Sequence, residues 1–154
     1  MTSTAPGTPP TLSIHHLKIP TGSLSTKLEF YTTILPFTHL AHFDHRHADS
    51  GDLFAVIIQH APTALLIELR LNPAQAAAQR GWDSITWGVE TRQDLETWRE
   101  WLVSKGVECS TVLKGFRGWS LVAEDPDGAF VKWYCKESHE WDVHVDVDEK
   151  WVQF

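Results

Sequence analysis

The sequence predicts an α+β chain. Two paired βαβββ modules form a curled mixed sheet around a cleft, with a strand-like extension at the C-terminus. Three observations carry this reading. The order strand, helix, three strands runs through residues 12–71 and again through 84–135. A Pro-to-charge spacing repeats with it: Pro62 precedes Glu68 by six residues, and Pro126 precedes Lys132 by six. Beyond the second module, residues 136–154 are acidic, and within them 141–148 alternate apolar with polar side chains.

The elements follow in order. Residues 1–11, MTSTAPGTPPT, are rich in Pro and Thr and make a disordered arm. LSIHHLKI (12–19) is the first strand. TGSLSTKLEFYTTIL is a helix with Leu24, Leu28, Tyr31 and Leu35 at helical spacing, capped by Thr21 or Ser23 and stopped by Pro36. FTHLAHFDH, the β-branched DLFAVIIQH and ALLIELRL are strands, and NPAQAAAQRG is an alanine-rich connection. The second module opens with the strand SITWGVE. TRQDLETWREWLVSKG is the strongest helix, with Thr91 and Asp94 as a capping box and Gly106 as its left-handed terminus. VECSTVL, WSLVAE and AFVKWYC are its three strands. In the extension, WDVHVDVD has period two and reads as one more strand, able to cover a sheet edge, close the cleft or join a partner.

Strand alternation selects the candidate site. Glu68 and Lys132 hold equivalent places in the last strands of the two modules, and His16 is matched by Ser84 in the first strands. Two facing halves would bring these four together, with Lys132 beside Glu68. Leu66 and Arg70 share a face with Glu68, Phe130 and Tyr134 with Lys132, and Thr86 with Ser84. Trp119 leans over the cleft mouth, Trp87 and Trp133 point to the helix-covered side, and His15 points away from His16. His39, His42, His45 and His47 crowd one hairpin, where two histidines with Asp44 or Asp49 could bind zinc or simply be exposed.

Composition narrows the classes. The net charge is −7, and six acids with no Lys or Arg fall in residues 137–149, so no basic footprint for nucleic acid exists. No apolar run is long enough to span a bilayer. Cys109 and Cys135 form no CxxC pair, which suits a reduced, cytoplasmic setting. Eight tryptophans suit a Trp-rich core or an aromatic-lined cavity for a small molecule.

A first-strand histidine ahead of a helix ending FYTTIL, the IEL of the fourth strand and the turn-and-strand DPDGAFVKWY together resemble the vicinal oxygen chelate superfamily. That superfamily includes glyoxalase I, extradiol dioxygenases and bleomycin-resistance proteins, and the resemblance covers residues 12–135. It implies paired βαβββ modules around an open cleft, and a homodimer. It also implies that a divalent ion, where relatives use one, sits on the first and last strands of both modules. Those positions here are His16, Glu68, Ser84 where His is typical, and Lys132 where Glu is typical.

Ser is a poor neutral ligand and Lys is a cation without an acceptor, so the expectation is a metal-independent site with no cofactor. His16 would transfer protons, Glu68 would orient it, and Lys132 would stabilise an enolate or phenolate oxygen. Ser84, Thr86, Arg70, Leu66, Phe130, Tyr134 and Trp119 would bind substrate. Isomerisation, dehydration or cyclisation of a carbonyl-containing or aromatic metabolite fits this set, and the chain resembles glyoxalase-like proteins of fungal natural-product pathways. The alternatives are a metal-dependent lyase, isomerase or dioxygenase holding one divalent ion through His16 and Glu68, and a non-catalytic protein that binds or sequesters a small molecule.

Overall fold

The computed structural model describes residues 13–152, so the N-terminal arm lies outside the described residues. The first module contains β1 (His16–Thr21), α1 (Leu24–Thr33), β2 (Phe37–His39), β3 (His45–Arg46), β4 (Leu53–His60) and β5 (Leu65–Leu71). The helix α2 (Pro73–Ala78) leads into the second. There β6 (Asp83–Val89) and α3 (Arg92–Ser104) precede β7 (Leu113–Lys114), β8 (Gly118–Glu124) and β9 (Phe130–Ser138).

The repeat is present in the topology. One sheet has the order β1-β5-β4-β2, with β3 also on β4, and the other has β6-β9-β8-β7. β1 runs parallel to β5 and β6 parallel to β9, while the remaining pairs are antiparallel. Lys18 lies opposite Glu68, and Thr86 lies opposite Lys132. His16 and Ser84, two residues earlier, therefore hold matching places.

The helix ends follow local chemistry. Thr91 and Asp94 complete the capping box of α3, and Gly106 takes φ 71° just past its end. Ser23 caps α1 by accepting from Thr26 N–H, while Thr21 Oγ1 takes the Ser23 N–H instead. Leu95 and Leu102, seven residues apart on one face of α3, are fully buried, each worth about 1.5–3 kcal/mol.

Both modules share one core. Ile67 and Leu69 of β5 and Leu121 and Trp133 of β8 and β9 belong to the same apolar cluster. Trp98 and Trp133 have ring centroids 5.2 Å apart, and Phe37 and Trp87 5.5 Å. Trp101 Nε1 donates to the Ile34 carbonyl at 2.9 Å, tying α3 to the end of α1. The modules are thus joined through their helix-bearing faces.

A charged lock adds to this apolar joint. Lys27 of α1 is fully buried and pairs with Asp125, and at 2.9 Å with Asp127, in the turn before β9. Asp127 Oδ1 also accepts from Gly22 N–H at 2.9 Å. Gly128 closes the turn at φ 82°, a left-handed conformation that favours glycine.

Three segments differ from the sequence reading. Residues 37–45 are not one strand. Asp44 accepts from Ile57 N–H and pairs with His39, a side chain replacing a strand partner while Ala41–Phe43 wind into a 3-10 turn. In 107–113 only Leu113 belongs to a strand and Cys109 makes a single bridge to Ala123, while the Ser110 hydroxyl takes the Val122 N–H at 3.0 Å. The tail 141–148 forms no strand. Asp142 N–H donates to Phe116 O and Asp146 N–H to Lys114 O, so a longer stretch of tail bows past a shorter stretch at β7.

Candidate functional site

The first strand and the fifth bring His16 and Glu68 together. His16 Nε2 lies 3.9 Å from Glu68 Oε2. They line a pocket of about 370 Å³ with His15, Phe43, His45 and Leu66. Glu68 is buried, whereas the His16 ring is half open to solvent. The strand pattern accounts for this: Leu66 and Glu68 face the pocket while Ile67 and Leu69 enter the core.

Glu68 is surrounded by positive charge. Arg70 Nε donates to its Oε1 at 2.5 Å, and Lys18 Nζ approaches the same oxygen at 3.6 Å. Burial pushes the Glu68 carboxyl up, but the hydrogen bond and charge of Arg70, then Lys18 and His45, hold it below its ordinary value. Arg70 is itself set by Phe54, its guanidinium lying 4.7 Å from the ring centroid.

Lys132 does not neutralise Glu68. It pairs with Asp83 at 3.4 Å, in a different pocket shared with Tyr134. The reason is the joint between modules: their helix-bearing faces pack together, so the opposite faces line separate pockets with no residue in common. The equivalence of Glu68 and Lys132 is real in topology but does not make them neighbours within the chain. The four-residue convergence expected from the repeat is accordingly replaced by a His16–Glu68 pair.

Other positions divide in the same way. Leu66 and Arg70 accompany Glu68 as expected. Ser84 and Thr86 are exposed on β6, Phe130 packs on Trp151 with centroids 5.2 Å apart, and Tyr134 borders the Lys132 pocket. Trp119 is turned to the helix side, where it packs on the core and meets His139, because Ser120 and not Trp119 takes the pocket-facing place on β8. Trp87 and Trp133 lie on that same core side, as alternation predicts.

Three participants were missed. His15 was expected to point away, yet its Nδ1 lies 2.9 Å from His16 Nδ1. It precedes β1, so strand alternation does not govern it. His45 reaches the pocket from β3, across a hairpin that one strand could not have placed. Lys18 was legible, since it lies two residues from His16 on the same face. Of the remaining hairpin histidines, His39 is held by Asp44 and His47 packs on Phe54.

Among the described residues, no three His, Cys, Asp or Glu side chains gather as a possible metal cluster. The chemistry of the four family positions also fits a divalent ion poorly. Glu68 already carries Arg70 and Lys18, Ser84 is exposed, and Lys132 brings a charge that repels a cation. Among the described residues, no helix is long and apolar enough to cross a membrane.

A family model described as the Glyoxalase/Bleomycin resistance protein/Dioxygenase superfamily matches residues 13–132. Solved structures share the fold. FosX, a genomically encoded fosfomycin resistance protein from Listeria monocytogenes, is similar at 14% identity with a TM-score of 0.64, over 82% of this chain and 95% of that one. TnmS3, an antibiotic binding protein from Streptomyces sp. CB03234, is similar at 16% identity and 0.63, over 82% and 100%. A glyoxylase/bleomycin resistance protein/dioxygenase domain from Frankia sp. EAN1pec is similar at 18% and 0.61, over 83% and 100%. No curated protein matches the sequence.

Proposed function

The chain belongs to the glyoxalase/bleomycin resistance protein/dioxygenase superfamily, and from that premise we propose that it is a metal-independent acid–base enzyme acting on a small carbonyl-containing or aromatic metabolite. The observation that carries this reading is the His16–Glu68 pair, 3.9 Å apart at a pocket wall, with the carboxylate buried and held ionised. Histidine titrates near neutrality and is the commonest general acid and base.

In the proposed chemistry, His16 Nδ1 donates to His15, leaving the Nε2 lone pair free for the substrate. Nε2 takes a proton from the carbon beside a carbonyl, and the C–H electron pair moves into an enolate. Glu68 stabilises the imidazolium that forms. Lys18, half exposed beside Glu68, takes the oxyanion role that the sequence suggested for Lys132. Return of the proton to another carbon gives isomerisation, delivery to a departing hydroxyl gives dehydration, and attack of the enolate carbon on a second carbonyl gives cyclisation, the new alkoxide taking the proton back from His16.

The test is deuterium wash-in from D2O at the α-carbon of hydroxyacetophenones, followed by NMR. The wild-type chain should accelerate exchange, and His16→Ala should remove about 10²–10⁴ of the rate. Absence of exchange in any carbonyl compound that binds would favour the second reading, a binding or sequestering protein. That reading draws support from the likeness to an antibiotic binding protein and from the apolar walls Phe43 and Leu66.

The proposed assembly is a cytoplasmic homodimer. Two free cysteines suit a reducing compartment, and Phe43, 54% exposed at the pocket, offers a ring for a second copy to cover. Sedimentation equilibrium should give twice the chain mass. A monomer at all concentrations would remove the dimer without touching the proposed chemistry.

A further inference from the structure

The two modules close on each other through aromatic side chains, and the closure is incomplete. Phe37 of β2 lies 5.5 Å from Trp87 of β6, and Trp98 of α3 lies 5.2 Å from Trp133 of β9, centroid to centroid. All four rings border a cavity of about 100 Å³, as do Val89 and His60. Protein interiors are close-packed, so an apolar hollow of this size at a joint is an unfilled place. Leu35, Pro36 and Trp98 border both this cavity and a wider groove of about 480 Å³ between the end of α1 and α3, so the two form one cleft. The cleft shares no residue with the His16 pocket. Trp101, 40% exposed, lines the groove with its Nε1 held by the Ile34 carbonyl. That bond sets the indole in place beforehand, so binding need not order it.

The lining limits what fits. It contains no Asp, Glu, Lys or Arg, so an ion entering it would lose water without gaining a charged partner. Its walls are aromatic, and rings pair well with rings at tilted or edge-on angles. An apolar cavity of roughly 150 Å³ takes one benzene ring, and this one is somewhat smaller but opens into the groove. The polar side chains are few. The Thr33 and Thr97 hydroxyls donate to Glu29 O and Gln93 O of their own helices. His60 Nδ1 lies 2.8 Å from Thr63 Oγ1, and its Nε2 has no hydrogen-bond partner among the described residues. A hydroxyl can donate to a bare Nε2 or accept from Nε2–H, so it suits either tautomer of His60.

We infer that this cleft at the module joint is a second binding site and that it takes an uncharged phenol. The ring enters the cavity beside Phe37, Trp87 and Trp133, and the hydroxyl bonds His60 Nε2. An apolar substituent lies along the groove on Pro36 and Trp101. Because the ligand touches elements of both modules, it steadies the joint as well as filling it.

The probe is 4-propylphenol, with propylbenzene as the counterpart that lacks the hydroxyl, on the full chain with isotope-labelled tryptophan. Calorimetry should give one site per chain, with the phenol about tenfold tighter than propylbenzene. In NMR spectra the indole N–H signals of Trp87, Trp98 and Trp101 should shift, while those of Trp82, Trp141 and Trp151 stay. His60→Phe keeps a ring but removes the nitrogens, so it should weaken the phenol about tenfold and leave propylbenzene almost unchanged. Val89→Phe should fill the cavity and weaken both ligands by at least about tenfold, with the urea midpoint showing the fold intact. His16→Ala should alter neither, so failure of the acid–base reading leaves this result intact. No saturable binding at millimolar 4-propylphenol overturns the inference. So do shifts confined to Trp141 and Trp151, or binding lost in His16→Ala, each of which puts the ligand elsewhere. Movement of the cleft signals without ligand, on dilution or on removal of residues 1–12, also overturns it, because a second copy or the N-terminal arm is then the occupant.

Discussion

Lys27 and Asp125, 98 residues apart in sequence, form an ion pair in the interior, with the Lys27 side chain fully shielded from solvent. One comes from the first helix of the first module and the other from the turn before the last strand of the second. Asp127 reaches the same ammonium at 2.9 Å. Burial, then the charges of Asp125 and Asp127, raise the neighbouring Tyr31 phenol above its ordinary value, so it stays protonated beside the pair.

Lys27→Met should leave two carboxylates facing a buried methyl group. Breaking a buried pair in this way costs about 3–5 kcal/mol. Adding Asp125→Asn and Asp127→Asn should recover part of that loss, since no charge is then left unpaired. Urea denaturation of the single and triple variants measures both. A loss below about 1 kcal/mol in Lys27→Met would mean that water reaches the pair in solution.

Stability should fall in acid. Burial raises the Asp127 carboxyl, but the hydrogen bond from Gly22 N–H and the adjacent Lys27 ammonium outweigh it, and its folded value is depressed, as that of Glu68 is. An unfolded chain therefore takes up these protons first as pH drops. Their contribution is complete above the ordinary carboxylate range, near about pH 4, and is lost as pH falls through the lower folded values. Denaturant midpoints between pH 7 and pH 3 should show this decline. Arg70→Gln should flatten it, because Glu68 then loses its hydrogen bond from Arg70.

Glu68→Gln should slow proton transfer less than His16→Ala does. The amide keeps the shape of the pocket wall but cannot stabilise an imidazolium electrostatically. Substrate affinity should survive both changes, because Phe43 and Leu66 still line the pocket. Single-turnover rates and dissociation constants on the same variants separate the two effects. Equal rate losses would assign Glu68 a direct part in the proton transfer.

Added zinc or manganese should leave wild-type exchange rates unchanged. Arg70→Ala with Lys18→Ala strips the cations from Glu68 and should create measurable divalent affinity through His16 and Glu68. Calorimetry with Mn2+ reads this directly. Tight binding by the wild-type chain would instead place the site among the metal-using members of the family.

The sequence by itself determined the modules, because short-range physics decides them. The period of apolar residues set the strands and helices, the Thr91–Asp94 box and Gly106 set the ends of α3, and alternation assigned Glu68 and Lys132 to the pocket faces and Trp87 and Trp133 to the core. It could also pair Glu68 with Arg70, two residues along one strand. What it could not decide was how two similar modules meet. A repeat makes positions equivalent without making them adjacent, and here the helix-bearing faces close on each other through Phe37, Trp87 and the buried Lys27. That packing separates Lys132 from Glu68. The approach of His15 and His45 to His16 and Glu68, and the folding of an alternating tail into a strap, likewise arise only from tertiary contacts. A side chain that satisfies a backbone group, as Asp44 and Ser110 do, or a buried tryptophan such as Trp151, overrides the local period when the energy lies in partners distant in sequence.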